Sequence, residues 1–284
     1  MEIKMILKKS KLITHALLLT FLFLPFFSDA QNQSAYKVKT IVIDAGHGGH
    51  DSGAKGRQTL EKHLALQVAL KLGKLIEAEL PGVKVLYTRK TDEFVELYKR
   101  IYYANDNHAD LFISIHCNSG GVSRVTSRNR KGKRVTSTVS NTSAKGTETL
   151  VSGYGRLGEQ DAAIRENASL LLESNYKDNY QGFDPKDPES YIVFSLMKNQ
   201  FRDQSIKLAS YMQNEYVKSG RTNRGVWEKS LAVLARAGMP AVLTEIGFIS
   251  NPDEEEFMMT DAGQSEITNN LLNAIKTYKR SVER

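Results

Sequence analysis

From about residue 40 onward, apolar positions fall into short runs alternating with helical stripes. Thr40 to Asp44 is a β-branched run that breaks into Ala45-Gly46-His47-Gly48-Gly49, the pattern of a buried strand opening into a flexible loop. Between Leu60 and Leu80 apolar residues recur at positions 64, 68, 72, 75 and 76, one face of a helix, and Pro81-Gly82 ends it. Val83 to Thr88 predicts a second strand, Glu93 to Asn107 a second helix, and Asp110 to Ile115 a third strand running into His116. Strand, helix, strand, helix, strand is the order of an α/β sheet with crossover helices.

The pattern then changes. Residues 120–145 are rich in Ser, Thr, Arg and Lys with few apolar anchors, which predicts an exposed basic loop or hairpin. Its cations can attract an acidic polymer, but a solvated charge run is the blander and favoured reading. Ala162 to Glu173 reads as helical, Tyr176 to Pro188 is polar and broken by prolines, and Ser190 to Lys218 is a long amphipathic stretch. Ala232 to Ala235 and Ala241 to Glu245 are the last strand candidates, and Glu254 to Arg280 closes with one or two helices.

Residues 1–30 stand apart from this pattern. Lys4, Lys8, Lys9 and Lys11 precede an apolar run from Ile13 to Phe27, and Ser28-Asp29-Ala30 places small residues where a signal peptidase cuts. The reading is an export signal, with the mature chain starting at Gln31; a retained anchor is the alternative, on a run short for a membrane span. No stable span is expected after cleavage. The composition, 40% hydrophobic and 25% charged, is that of an ordinary globular domain. A net charge of +7 tolerates an anionic partner without choosing one. Cys117 is the only cysteine, so neither an internal disulfide nor a metal site of several thiolates is available.

A metal here needs histidine and carboxylate ligands, and three stand where an α/β sheet gathers side chains. His47 follows the first strand, Glu61 starts the next helix, and His116 ends the third strand. Two histidines and a glutamate leave one tetrahedral position open, the ligand set of a hydrolytic zinc site. Each alone is more often an ordinary packed residue. His50 is close enough to His47 to rival it, whereas His63 points away from Glu61 on a helix. Glu245, ending the apolar run from Ala241, is the candidate proton carrier; a surface or capping carboxylate is the competing reading. Cys117 should face the core as a structural thiol.

These residues resemble the zinc-dependent N-acetylmuramoyl-L-alanine amidases of the amidase 3 type. The resemblance rests on Val42-Ile43-Asp44-Ala45-Gly46-His47-Gly48-Gly49, Glu61, Thr88-Arg89 with Asp92, Ser114-Ile115-His116-Cys117-Asn118, and Glu245-Ile246-Gly247-Phe248-Ile249-Ser250-Asn251. It implies a catalytic domain over residues 38–280, a single α/β domain with a mixed, mostly parallel sheet flanked by helices. It also implies zinc on His47, Glu61 and His116, Glu245 as the catalytic glutamate, and peptidoglycan rather than nucleic acid as the polymer. The bond implied is the amide between N-acetylmuramic acid and L-alanine of the stem peptide.

Residues 155–195, including Arg165-Glu166-Asn167 and Phe183-Asp184-Pro185, resemble the inserted regulatory region of division-associated amidases. This implies a segment that blocks the cleft until a protein activator displaces it, with Glu159, Glu166 or Glu173 reaching the metal. A cap that shapes the substrate without switching is the alternative. The same resemblance favours the periplasm over the exterior. A zinc peptidase acting on stem peptides, or a wall-binding protein without catalysis, are the rival functions.

Overall fold

The computed structural model describes residues 37–153, 160–187, 189–191 and 200–283, with backbone alone at 122–124 and 138–140. The export signal read at residues 1–30, and Glu159, lie outside the described residues.

Strands β1 (Thr40–Ala45), β2 (Lys84–Tyr87) and β3 (Leu111–Asn118) alternate with helices α1 (Glu61–Glu79) and α2 (Leu97–Asp106). A separate hairpin follows, β4 (Val122–Arg128) with β5 (Arg134–Ser140), then β6 (Thr147–Ser152) and the short helix α3 (Asp161–Asn167). The chain ends with α4 (Arg202–Lys218), β7 (Asn223–Lys229), β8 (Ala241–Phe248), α5 (Pro252–Met259) and α6 (Asp261–Val282). The main sheet runs β2-β1-β3-β8-β6-β7. Only the β6/β8 pair is antiparallel. This is the mixed, mostly parallel sheet expected.

Strand periodicity divides the core. Ile41, Ile43 and Ala45 of β1 face Leu64, Val68, Leu72 and Ile76 of α1 together with α4 and α6, whereas Val42 meets Leu97, Ile101 and Phe112 on the other face. Each large apolar side chain buried fully here contributes about 1.5–3 kcal/mol. Two helices close the chain because each has its own cap. Asn251 accepts from Asp253 N and Glu254 N with Pro252 at the first turn, and Thr260 accepts from Gly263 N.

Several elements differ from the sequence expectation. Helix α2 begins at Leu97 rather than Glu93, because residues 92–94 serve the loop after β1. Asp92 accepts from Gly49 N, and the Phe94 ring lies on His50 with centroids 4.1 Å apart. Strands β6 and β7 were not anticipated. Conversely, residues 232–236 form a turn and not a strand. Leu231 to Leu234 are all buried, and Asn167 Oδ1 holds Ala232 N at 2.9 Å, so the apolar run is a wedge in the core.

Candidate metal centre

The site lies at the carboxyl ends of β1, β3 and β8, where an open parallel sheet leaves a crevice. His47 sits in the loop after β1 with φ 59°, a left-handed conformation costly for a residue with a β-carbon. Buried guanidinium groups hold that loop. Arg100 donates to Ala45 O at 2.7 Å and His47 O at 2.8 Å, and Arg89 donates to Ala45 O at 2.9 Å and Gly46 O at 2.7 Å. Arg100 in turn pairs at 3.0 Å with Asp44, which also accepts from Thr88 and Ser114 at 2.6 Å each. Burial pushes the Asp44 carboxyl up, but the Arg100 charge and the two hydroxyl donors outweigh it and leave it below the usual range.

Close approach fixes two glycines. A β-carbon on Gly46 would stand 2.5 Å from the His116 ring, and one on Gly53 would stand 2.6 Å from His47 and 2.7 Å from Glu61. The loop therefore wraps the cluster with no room for side chains.

Within it, His47 Nδ1 contacts Asp51 Oδ2 at 2.9 Å, leaving Nε2 to face Glu61 Oε1 at 3.2 Å. Asp51 is a partner the sequence reading did not find, although it lies only four residues on. Glu61 is oriented by backbone: Cys117 N and Ala54 N each donate to it at 2.8 Å. His116 Nδ1 lies 3.1 Å from Glu61 Oε1 and 2.8 Å from Glu166 Oε2. Glu166 arrives from α3, outside the sheet. The four donor atoms of His47, Glu61, His116 and Glu166 all lie within 4.8 Å of one another, and all four residues are buried.

This set fits a divalent cation. His47 Nε2 is buried and stands 3.5 Å from Glu166 Oε2, which also lies 2.8 Å from His116 Nδ1. Neighbouring lone pairs that converge in this way suit a common central ion. The donors are imidazole and carboxylate, the types zinc takes, and the Asp51–His47 contact is the outer support such ligands carry. Burial lowers the affinity of His116 for its proton, but the Glu166 charge outweighs it and pushes it up to about 10, while Glu166 is held down to about 2 against its own desolvation. Burial would raise Glu61, yet the His47 charge and bonds from both imidazoles hold it well below the usual carboxylate range.

Glu245 pairs in register with His116 across β3 and β8. It is fully buried and neither carboxylate oxygen has a hydrogen-bond partner. Desolvation first, then the charges of Glu166 and Glu61, push its carboxyl well above the usual range. It is thus a carboxyl of raised proton affinity one strand from the cluster.

The remaining candidates lie elsewhere. Glu173 accepts from Leu97 N at 2.7 Å and Tyr180 OH at 3.0 Å, outside the cluster. His50 packs on Phe94, and His63 stands 3.9 Å from Asp92. Cys117 is buried in the core. A cavity of about 650 Å³ opens beside His47 and Glu61, bounded by Arg165, Glu166 and Leu171 of the segment lying over it.

A buried histidine–carboxylate cluster that could hold a metal thus stands on a six-stranded mixed sheet, with an isolated acid beside it. Residues 41–277 match the family Amidase_3, N-acetylmuramoyl-L-alanine amidase, and the chain belongs to that family. It is 33% identical over 240 residues to N-acetylmuramoyl-L-alanine amidase AmiC of Escherichia coli O6:H1, covering 84% of this chain and 52% of that relative. The chain therefore spans about half the length of AmiC. The N-acetylmuramoyl-L-alanine amidase of Clostridium difficile 630 shares the fold, with a TM-score of 0.60 and 24% identity over 86% of this chain and 98% of the other. The catalytic domain of CwlV, an amidase from Bacillus (Paenibacillus) polymyxa var. colistinus, matches at TM-score 0.53 and 26% identity over 86% and 99%.

Proposed function

We propose that this chain is a zinc-dependent peptidoglycan amidase that hydrolyses the amide between N-acetylmuramic acid and L-alanine of the stem peptide. The observation that carries the reading is the convergence of His47, Glu61 and His116 beside the unpartnered acid Glu245 in a chain of this family. His47, Glu61 and His116 would hold the zinc, which when bound supplies Lewis acidity to water and to the scissile carbonyl. Glu245 accepts the proton of the attacking water and passes it to the alanine nitrogen as the carbon–nitrogen bond breaks. Water oxygen ends in the lactyl carboxyl group, and the stem peptide leaves with a free amine.

Glu166 supports a second part of the proposal: the inserted segment, of which residues 160–187 are described, caps the site in a resting state. The Glu166 carboxylate from α3 lies 2.8 Å from His116 Nδ1, where it could take the position a hydrolytic zinc site leaves for water, and Arg165 donates to Asn118 Oδ1 at 2.7 Å across the cleft mouth. Withdrawal of α3, by a protein activator or by the wall itself, would open the site. Residues 1–30 are assigned as an export signal and residues 38–280 as the catalytic domain, acting on the wall from the periplasm in preference to the exterior. Among the described residues no helix is long and apolar enough to cross a membrane.

The test is digestion of purified peptidoglycan with and without zinc, beside Glu245→Ala, with soluble products identified by mass. Zinc-dependent release of stem peptides beginning at L-alanine, absent in the variant, is expected. Products that leave L-alanine on the sugar would make the enzyme a peptidase, and binding without release would leave a wall-binding protein.

A further inference from the structure

The hairpin β4–β5 takes no part in that chemistry, yet its composition is one-sided. From Gly120 to Lys145 the sequence has seven Lys or Arg and no Asp or Glu. Arg128, Arg130, Lys131, Lys133 and Arg134 at its end are exposed. Arg128 and Arg134 stand directly opposite each other in the ladder, an unfavourable pairing with no carboxylate in the hairpin to offset it. A fold that keeps like charges side by side leaves them for an anion that comes from outside.

The hairpin also has a fixed root at a particular place. Ser250 Oγ accepts from Gly120 N at 2.9 Å and donates to Asn141 O at 3.2 Å, clamping the two strands to the end of β8. Gly120, Gly121 and Asn141 line a second cavity of about 400 Å³ whose other walls include Arg165, Arg224 and the exposed Trp227 ring. Ser119, Gly121 and Arg165 border both this cavity and the one at the metal centre. The arm thus springs from the rim of the cleft. Seven residues per strand reach roughly 23 Å. An arm of that length can reach neighbouring repeats of a polymer held in the cleft.

We propose that β4–β5 is a cationic arm that grips uncut stretches of peptidoglycan through the free carboxylates of their stem peptides. The inference rests on the amidase reading, since the polymer in the cleft is the one the arm would meet. Charge complementarity selects it: the wall presents carboxylates at every peptide-bearing repeat, and the arm presents cations only.

The measurement is cosedimentation with purified, peptide-bearing walls, using Glu245→Ala protein so that nothing is cut, with and without Arg128→Gln, Arg130→Gln, Lys131→Gln, Lys133→Gln and Arg134→Gln combined. The combined variant should bind about tenfold more weakly at low ionic strength, the difference closing as salt rises. In the cleaving background, its ratio of wall turnover to turnover of a single soluble disaccharide-peptide should fall by a similar factor. Matching thermal melts check that the hairpin changes leave the fold intact. Equal binding and equal salt dependence, a parent protein that ignores the wall, or binding that instead tracks vesicles of anionic lipid would overturn the proposal. Failure of the amidase reading shows separately, as wild-type protein that releases no stem peptide while the binding comparison still reports on the arm.

Discussion

The two halves of the candidate metal centre are held in place by different physics. His47, Glu61, His116 and Glu245 belong to the sheet and its first crossover, braced by Asp44, Arg89 and Arg100 through charge-assisted bonds that are largely buried. Glu166 belongs to α3, seven residues without a side-chain cap at the start. Apart from Glu166 at His116 and Arg165 at Asn118, that helix is tied down by neutral amides, Asn167 to Ser230 O at 2.8 Å and Ser230 N to Gln160 at 3.2 Å, and by the small apolar contacts of Ala162 and Ala163. A helix that short has little stability of its own. On the proposed reading the frame stays while the short helix withdraws, and the difference in their anchorage is what such a resting state would need.

The largest expected effect breaks the frame's chemistry and leaves its shape. Glu245→Gln keeps the volume of the side chain but removes its capacity to take up and release a proton, so cleavage should fall by about 10²–10⁴-fold. Zinc content, measured by atomic absorption, should not change. Loss of zinc in this variant would show that Glu245 is a ligand and not the proton carrier.

Next comes the bracing. Asp44→Ala leaves the Arg100 guanidinium buried without its carboxylate, and removal of one partner of a buried pair costs about 3–5 kcal/mol, to be read from urea unfolding. The pH dependence has a definite sign. Because the folded Asp44 pKa lies below its unfolded value, its contribution is complete above that unfolded value, about pH 4, and is lost as pH falls through the folded pKa. Below pH about 4 the wild-type protein should therefore lose stability more steeply than Asp44→Asn.

Metal binding then separates frame from cap. Zinc at a hundredfold its dissociation constant should stabilise the metal-free protein by about 2.7 kcal/mol. His47→Ala should abolish most of this shift, whereas Glu166→Ala should retain most of it. Equal losses would make the cap part of the permanent site. If α3 does hold the resting state, Glu166→Ala should also speed wall cleavage by about fivefold or more, within the usual range of coupling between two conformations. A stable Glu166→Ala protein that cleaves no faster would remove the switch and leave a cap that only shapes the substrate.

How far the sequence disclosed this division follows from the range of each interaction. β1, α1, β3 and β8 are legible because local periodicity and apolar density coincide, and their ends carry His47, Glu61, His116 and Glu245. β7 escapes because Asn223-Arg224-Gly225-Val226-Trp227-Glu228-Lys229 is a largely polar edge strand with only partial burial. β6 escapes because threonine supplies much of its buried surface. Ala232 to Ala235 misleads because a short apolar run reports burial and carries no period of its own. Arg100, which grips the His47 carbonyl from 53 residues away, has no local signature at all.

Glu173 gives the smallest and most discriminating test. The resemblance to regulated amidases placed it with Glu159 and Glu166 as a carboxylate able to reach the metal. In the structure it accepts from Leu97 N, the first residue of α2, where a helix leaves an unsatisfied donor and favours negative charge. Burial raises its carboxyl above the usual range against the bonds from Leu97 and Tyr180, and one hydrogen bond to a backbone amide is worth about 1 kcal/mol. Glu173→Gln keeps an acceptor for Leu97 and should cost no more than that in thermal unfolding, with wall cleavage and zinc binding unchanged. Activation by Glu173→Gln comparable to that expected for Glu166→Ala would mean that the segment is held shut by its anchorage on α2 as much as by its carboxylate at the metal centre. The contrast between a rigid frame and a cap fastened chiefly at Glu166 would then give way to a cap fastened at both ends.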